Sequence, residues 1–184
     1  MTVNKFKLKS FVADLLSTFA VCGILIWLDA LSKKWAYTSL YSNHSGKRDF
    51  IPGFLGFVYA ENTGAAWSIL EDAPWVFISL SIVTVIAITL YVFIGSKRNL
   101  LLRSSLLLLL SGGVGNLIDR LFRTGSHFGN RNGFVVDFLN FEFIDFPIFN
   151  VADICVCVGI GLLMLYMILY EFRTTDTSGD DKNA

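Results

Sequence analysis

The sequence predicts an all-α membrane protein built on four transmembrane helices. Two observations carry that reading. Of 184 residues, 54% are hydrophobic and 16% charged, against roughly 45–50% apolar and about 25% charged in an average soluble domain; mean hydropathy is +0.59. Four apolar runs, at 11–28, 73–96, 100–118 and 151–170, also approach the roughly 20 residues that a spanning helix needs. The formal net charge is zero, so nothing points to nucleic acid as a partner.

The first run follows Lys5, Lys7 and Lys9, as a secretory leader would. Residues 27–30, Trp-Leu-Asp-Ala, lack small residues at the spacing needed for cleavage, so an uncleaved span is expected. Asp14 lies near its start. The second run carries no charge at all, and the third has Arg103 near its start. The fourth has Asp153 near its start, and a disordered tail is expected over 174–184. Residues 1–173 then form a single domain.

Two long connections join these runs. Phe50-Ile51-Pro52-Gly53-Phe54-Leu55-Gly56-Phe57-Val58-Tyr59-Ala60 in the first suits short strands and turns. The second, 119–150, is equally aromatic, and both are expected against the headgroup region.

The three cysteines, Cys22, Cys155 and Cys157, all fall in apolar runs, where small buried hydrophobes are expected rather than disulfides. The two histidines, His44 and His127, stand apart in polar loops. No metal site and no cofactor is expected.

Counting positive charge hardly orients the chain. Termini on the cytoplasmic side would put Lys5, Lys7, Lys9, Lys97, Arg98, Arg103, Arg173 and Lys182 there, eight residues. Seven would lie opposite: Lys33, Lys34, Lys47, Arg48, Arg120, Arg123 and Arg131. The tight 97–103 loop favours termini inside. Parity says more. With four spans, the end of the first, the end of the third, the start of the fourth and both long connections share one membrane face. Asp29, Lys33, Asn62, Asn116, Asp119, Arg120, Asp137, Asn150 and Asp153 therefore gather on that face, whichever way the chain is inserted.

An ionisable residue in lipid costs about 2.5–3.5 kcal/mol at mid-helix and marks a functional site by default. Asn116, Asp119 and Arg120 are spaced i, i+3, i+4 and would share a helix face. Gly112, Gly113 and Gly115 before them would admit a close helix contact. Asn150 and Asp153 are likewise i, i+3, so the two polar faces can meet. A buried architectural clamp explains Asp119 and Arg120 as well as catalysis does. Asp153 needs a partner: Lys33, Arg120 or a second carboxylate, for which Asp137 in Gly133-Phe134-Val135-Val136-Asp137-Phe138 is available.

Two close carboxylates cannot both ionise easily, so one keeps a proton. The ionised member can deprotonate water while the protonated one donates to a carbonyl oxygen. No Ser-His or Cys-His arrangement competes. Residue chemistry alone leaves Asp119, Asp137 and Asp153 for two roles, with Asp29 a weaker fourth. A small proton-coupled transporter is the alternative, although its polar groups should cross the membrane rather than gather at one face. A non-catalytic assembly protein docking through the glycines of the third run would not need so much polarity near Asp153.

Five segments in order carry a resemblance: Asp29 with Lys33; Glu61-Asn62-Thr63-Gly64-Ala65-Ala66-Trp67-Ser68; Gly115-Asn116-Leu117-Ile118-Asp119-Arg120; Val135-Val136-Asp137-Phe138; and Phe146-Pro147-Ile148-Phe149-Asn150-Val151-Ala152-Asp153. In these the chain resembles lipoprotein signal peptidase, or signal peptidase II, a family of bacterial intramembrane aspartic proteases. The resemblance implies four transmembrane helices with both termini cytoplasmic, a small extracytoplasmic β-cradle, and a loop or short helix covering the site. It implies a monomer in the bacterial cytoplasmic membrane, among membrane lipids, with its site toward the extracytoplasmic face. The substrates would be diacylglyceryl prolipoproteins cut just before the lipidated cysteine, with globomycin-type cyclic peptides as inhibitors.

It also implies roles. Asp137 and Asp153 would be the catalytic pair, and Asn62, Asn116, Arg120 and Asn150 would bind substrate. Asp29, Lys33, Gly64 and Asp119 would support them, with Asp119 orienting Arg120. The chain departs from the family's pattern at Ala30, where glutamine is common. It departs at Glu61, which adds an acid beside Asn62, and in a long, glycine-punctuated loop over 121–134.

Overall fold

The computed structural model describes residues 2–42, 46–64, 74–94, 99–124 and 133–180. Helix α1, Thr2–Ala36, leads through a π-helical turn, Tyr37–Tyr41, to strands β1, Lys47–Ile51, and β2, Leu55–Asn62. Helices α2, Pro74–Ile94, and α3, Leu100–Phe122, follow, then strand β3, Val135–Phe141, and helix α4, Val151–Asp180. The protein is thus mostly helical, with one small sheet. The stretches Val12–Tyr41, Leu100–Phe122 and Val151–Tyr170 are long and apolar enough to cross a membrane, while α2 holds a shorter apolar stretch, Ile78–Phe93.

Three helices outrun their expected limits. α1 passes residue 28 because Asp29 and Lys33 pair one turn apart, Nζ to Oδ2 at 2.7 Å, so their charges are neutralised within the helix. α3 passes 118 and carries Asp119 and Arg120 on its last turns. α4 stays helical to Asp180, beyond the point where a disordered tail was expected.

α3 is the central helix, packing against α1, α2 and α4. Asn99 caps it by accepting the Leu102 N–H at 3.1 Å. Leu102, Leu106, Leu107 and Leu110 bury against Cys22 of α1 and Val92 of α2. At this end Arg103 Nη2 donates to the Asp14 carbonyl at 3.0 Å and to Thr18 Oγ1 at 2.9 Å, tying α3 to α1.

The contact of α3 with α4 depends on missing side chains. A Cβ on Gly112 would run into the Ala152 carbonyl and Val156 Cγ2, and one on Gly159 would lie 3.0 Å from the Ser105 carbonyl. A Cβ on Gly115 would be equally confined, 2.8 Å from Asp29 Oδ2, whereas one on Gly113 would meet Val85 of α2 at an ordinary 3.6 Å. Gly112→Val should therefore push the helices apart and cost about 1–3 kcal/mol or more. Gly161→Val, where nothing lies within 4 Å, is the control. Thermal unfolding in detergent checks this: a fall in Tm confined to the Gly112 variant is expected.

The sheet is antiparallel in the order β1-β2-β3. The aromatic first connection forms the expected short strands and turn, paired as a hairpin. β3 was not anticipated, and it is the strand that carries Asp137, opposite Ala60. Trp35 of α1 meets Phe57 and Phe138 edge-on at 5.0 and 6.2 Å. Ala36, Leu40, Tyr59, Phe134, Val136 and Phe138 form the second core. The sheet is thereby fixed to the end of α1, and Asp137 to the bundle.

Candidate active site

The site forms where β3, the start of α4 and the ends of α1 and α3 converge. Asn150 immediately precedes α4, and its Oδ1 accepts the Asp153 N–H at 3.0 Å. Asp153 Oδ2 accepts the Asn150 N–H at 3.0 Å in return. This reciprocal pair is a capping box. The i, i+3 spacing of Asn150 and Asp153 therefore reflects a helix start rather than a shared helix face. Asp153 in the first turn also lies where the helix dipole favours negative charge.

Asn150 is fully buried, and its Nδ2 donates to Asp137 Oδ1 at 2.6 Å and Asn116 Oδ1 at 3.2 Å. Asn62 Nδ2 donates to Asp137 Oδ2 at 2.9 Å, and Asn116 Nδ2 to Asp153 Oδ1 at 2.8 Å. Three asparagines thus supply a donor to each of the four carboxylate oxygens. Asn150 has spent both amide hydrogens, so it holds the carboxylates and has none left for a substrate. Among the described residues Asn62 donates one amide hydrogen, to Asp137, and its Oδ1 is fixed by the Gly64 N–H at 3.0 Å.

Behind this layer lies Lys33, with none of its surface exposed. Its Nζ contacts Asp29 Oδ2 at 2.7 Å, Asp119 Oδ2 at 3.0 Å and Asn116 Oδ1 at 3.0 Å, which uses all three ammonium hydrogens. Lys33 therefore reaches Asp153 only through Asn116, not as its direct counter-ion. Asp29 Oδ1 accepts the Ala152 N–H at 2.9 Å, fastening α1 to the first turn of α4.

Asp119 bonds Lys33 and, at 2.7 Å, Arg123 Nε. Its partners differ from the expected one: it anchors Lys33 and Arg123, and Arg120 turns away to donate to the Gly64 carbonyl at 3.2 Å. Arg123 was missed, although its i, i+4 spacing from Asp119 was legible.

Asp137 is buried. Burial first, and the neighbouring Asp153 second, push its carboxyl up to about 7, against the opposing bonds from Asn62 and Asn150. Glu61 lies in β2 opposite Val136 and accepts the Tyr59 hydroxyl at 3.0 Å; burial and Glu61 raise that phenol. Ala65, Ala66, Trp67 and Ser68 of the second motif, both histidines, and 125–132 of the long loop lie outside the described residues. The base of that loop is closed by Gly133 N–H to the Arg123 carbonyl at 2.9 Å. Gly133 has φ +78°, and a Cβ there would lie 3.0 Å from the Arg120 carbonyl.

A cavity of about 540 Å³ opens beside the carboxylates. Asn62, Arg120, Asp137 and Asp153 form its polar end. Phe141, Phe146, Pro147, Ile148 and Phe149 form one apolar wall, and Ile154, Cys157 and Val158 of α4 another. Cys22 and Cys155 are buried as expected, whereas Cys157 is exposed. Among the described residues no three His, Cys, Asp or Glu side chains are grouped to hold a metal ion.

Residues 21–169 match the model of the family described as signal peptidase (SPase) II. The chain belongs to the signal peptidase II family. It is 42% identical over 144 residues to a lipoprotein signal peptidase of Symbiobacterium thermophilum, covering 77% of this chain and 88% of that one. It is 37% identical over 142 residues to the lipoprotein signal peptidase of Streptococcus pyogenes serotype M6, covering 77% and 86%. Two structures described as bacterial membrane enzymes, solved by the in meso method, share the fold. Their TM-scores are 0.70 and 0.69 at 27% and 28% identity, over 83% and 82% of this chain and 87% and 92% of theirs. Signal peptidase II membership makes the chain a bacterial membrane peptidase, in accord with its apolar helices.

Proposed function

We propose that this protein removes signal peptides from diacylglyceryl prolipoproteins, cutting just before the lipidated cysteine, with Asp137 and Asp153 activating water. The observation that carries the reading is that two carboxylates from different elements face one cavity and are bridged by Asn150. The cavity suits such a substrate: its polar end fits an extended peptide and its apolar walls fit what precedes or hangs from it.

Charge balance supports a shared proton. With Asp137 protonated, the cluster holds three anions, Asp29, Asp119 and Asp153, and three cations, Lys33, Arg120 and Arg123. Asp153 takes a proton from water, and the hydroxide adds to the scissile carbonyl carbon while Asp137 protonates its oxygen. The C–N bond of the resulting diol then breaks. Asp153 passes its proton to the leaving nitrogen, and Asp137 recovers one from the diol. Asn62 and Arg120, which line the cavity, hold the peptide, while Asn116 and Asn150 orient the carboxylates.

In the same reading α2 is the fourth span, since it carries no charge and packs Val92 into the core against α3. Both termini are cytoplasmic, and the cavity faces outward. The chain is one domain and works as a monomer. Globomycin-type cyclic peptides compete for the cavity.

A gel-shift assay with a diacylglyceryl precursor and its unmodified form tests the activity: cleavage of the lipidated form alone is expected. Activity should also fall as pH rises through about 7. Below that point Asp137 holds the proton that the carbonyl oxygen needs; above it Asp137 ionises and the acid is lost. A profile of kcat/KM flat to high pH would contradict the assignment.

A further inference from the structure

We propose that the tip of the β1–β2 hairpin, together with Phe143 and Ile144, is a foot that enters the lipid surface beside the cavity. The hairpin is graded along its length. Lys47, Arg48 and Asp49 are followed by Phe50-Ile51-Pro52-Gly53-Phe54-Leu55, six residues without a polar side chain. Phe50 is 63% exposed, Phe54 47% and Phe143 53%. Such a gradient along the strand suits insertion end-on. At about 3.3 Å per residue the tip reaches roughly 10 Å, comparable to the roughly 5–10 Å to which interfacial helices sink.

The N–H groups of the tip are satisfied within the protein, which lowers the cost of entering an apolar phase, where each unsatisfied polar group costs several kcal/mol. Pro52 has no N–H. The Gly53 N–H donates to Glu142 Oε2 at 2.9 Å, and the Phe54 N–H to the Ile51 carbonyl at 2.9 Å. The Phe54 carbonyl accepts the Glu142 N–H at 3.0 Å. The carboxylate that serves Gly53 is matched by Lys47 at 2.7 Å, so it approaches the tip as one half of an ion pair rather than as a lone charge. Asp145, just beyond Ile144, is exposed and can remain in water.

The occupant follows from continuity. Phe54 stacks on Phe143 at 4.9 Å, and Phe141 meets Phe143 at 5.5 Å and Phe146 at 5.7 Å. This ring path runs into the cavity wall, whose other side is the exposed apolar face of α4 at Ile154 and Val158. One apolar surface thus joins the foot to a membrane-crossing helix, so the surrounding phase is lipid. The foot would keep the mouth of the cavity at the bilayer surface. The proposal goes beyond the catalytic reading and does not depend on it.

Site-directed spin labelling in phosphatidylethanolamine–phosphatidylglycerol vesicles tests this. Nitroxides are placed by Phe54→Cys, with Phe50→Cys as a second tip position, and by Arg48→Cys, all on a Cys157→Ser background. The tip labels should collide more with oxygen than with a water-soluble nickel chelate, and the Arg48 label the reverse. Tip labels as open to the nickel chelate as the Arg48 label would overturn the proposal. So would labels that become shielded only when a lipidated precursor is added, which would make the tip a substrate surface. The readout is independent of catalysis, so inactive protein serves equally.

Discussion

Asp153→Asn and Asp137→Asn are each expected to reduce cleavage of a lipidated precursor by about 10²–10⁴-fold, the usual worth of a positioned acid or base. Both changes preserve shape but keep only one of the two oxygens as an acceptor, so each loses one of its two accepted hydrogen bonds. Asn at 153 could not take a proton from water, although α4 would remain capped by Asn150. Asn at 137 could still offer an N–H to the carbonyl oxygen but could not transfer a proton. Because the two act as a unit, the double variant should be little worse than either single one. Thermal unfolding alongside the assay separates chemistry from folding. Robust activity in either single variant would remove that residue from the pair. Asp119→Asn should mainly lower stability, since Asp119 bonds Lys33 and Arg123 rather than facing the cavity.

The second large effect is expected at Lys33. Lys33→Met would leave Asp29 and Asp119 buried without their shared cation. Breaking a buried pair in this way costs about 3–5 kcal/mol. It would also remove the shorter of the two bonds to Asn116 Oδ1 that orient its amide toward Asp153, leaving only the one from Asn150. Loss of both thermal stability and activity is therefore expected. Adding Asp29→Asn and Asp119→Asn to Lys33→Met should recover part of the stability, because no carboxylate is then left buried without a cation; Arg123, which loses Asp119, is partly exposed to solvent. A Lys33→Met protein with wild-type Tm would contradict this account of the cluster.

Much of the arrangement could be read from the chain because polar residues stand out in an apolar sequence. Parity gathered Asp29, Lys33, Asn62, Asn116, Asp119, Arg120, Asp137, Asn150 and Asp153 at one end of the bundle. The structure joins all nine, directly or through one neighbour. Of the glycines before Asn116, Gly112 and Gly115 also marked the close contact with α4, whereas Gly113 faces α2.

What was not legible depended on pairing in space. Hydropathy ended α1 at 28 because it scores Asp29 and Lys33 as charges, whereas the fold neutralises them against each other and Asp119. β3 was hidden in an aromatic connection, although Val135-Val136 with Phe138 and Phe141 is the β-branched and aromatic composition that suits a strand. Asn150 and Asp153 looked like a polar helix face because a capping box has the same spacing. Cys157 looked buried because helical periodicity does not reveal which side of α4 borders a cavity.

The central claim is tested most directly by one reaction: purified wild type and the two aspartate variants, each with the diacylglyceryl precursor, and the fragments identified by mass spectrometry. The account predicts a single cut, just before the lipidated cysteine, by wild type alone. A cut elsewhere, or the same cut made at a comparable rate by Asp137→Asn or Asp153→Asn, would contradict it.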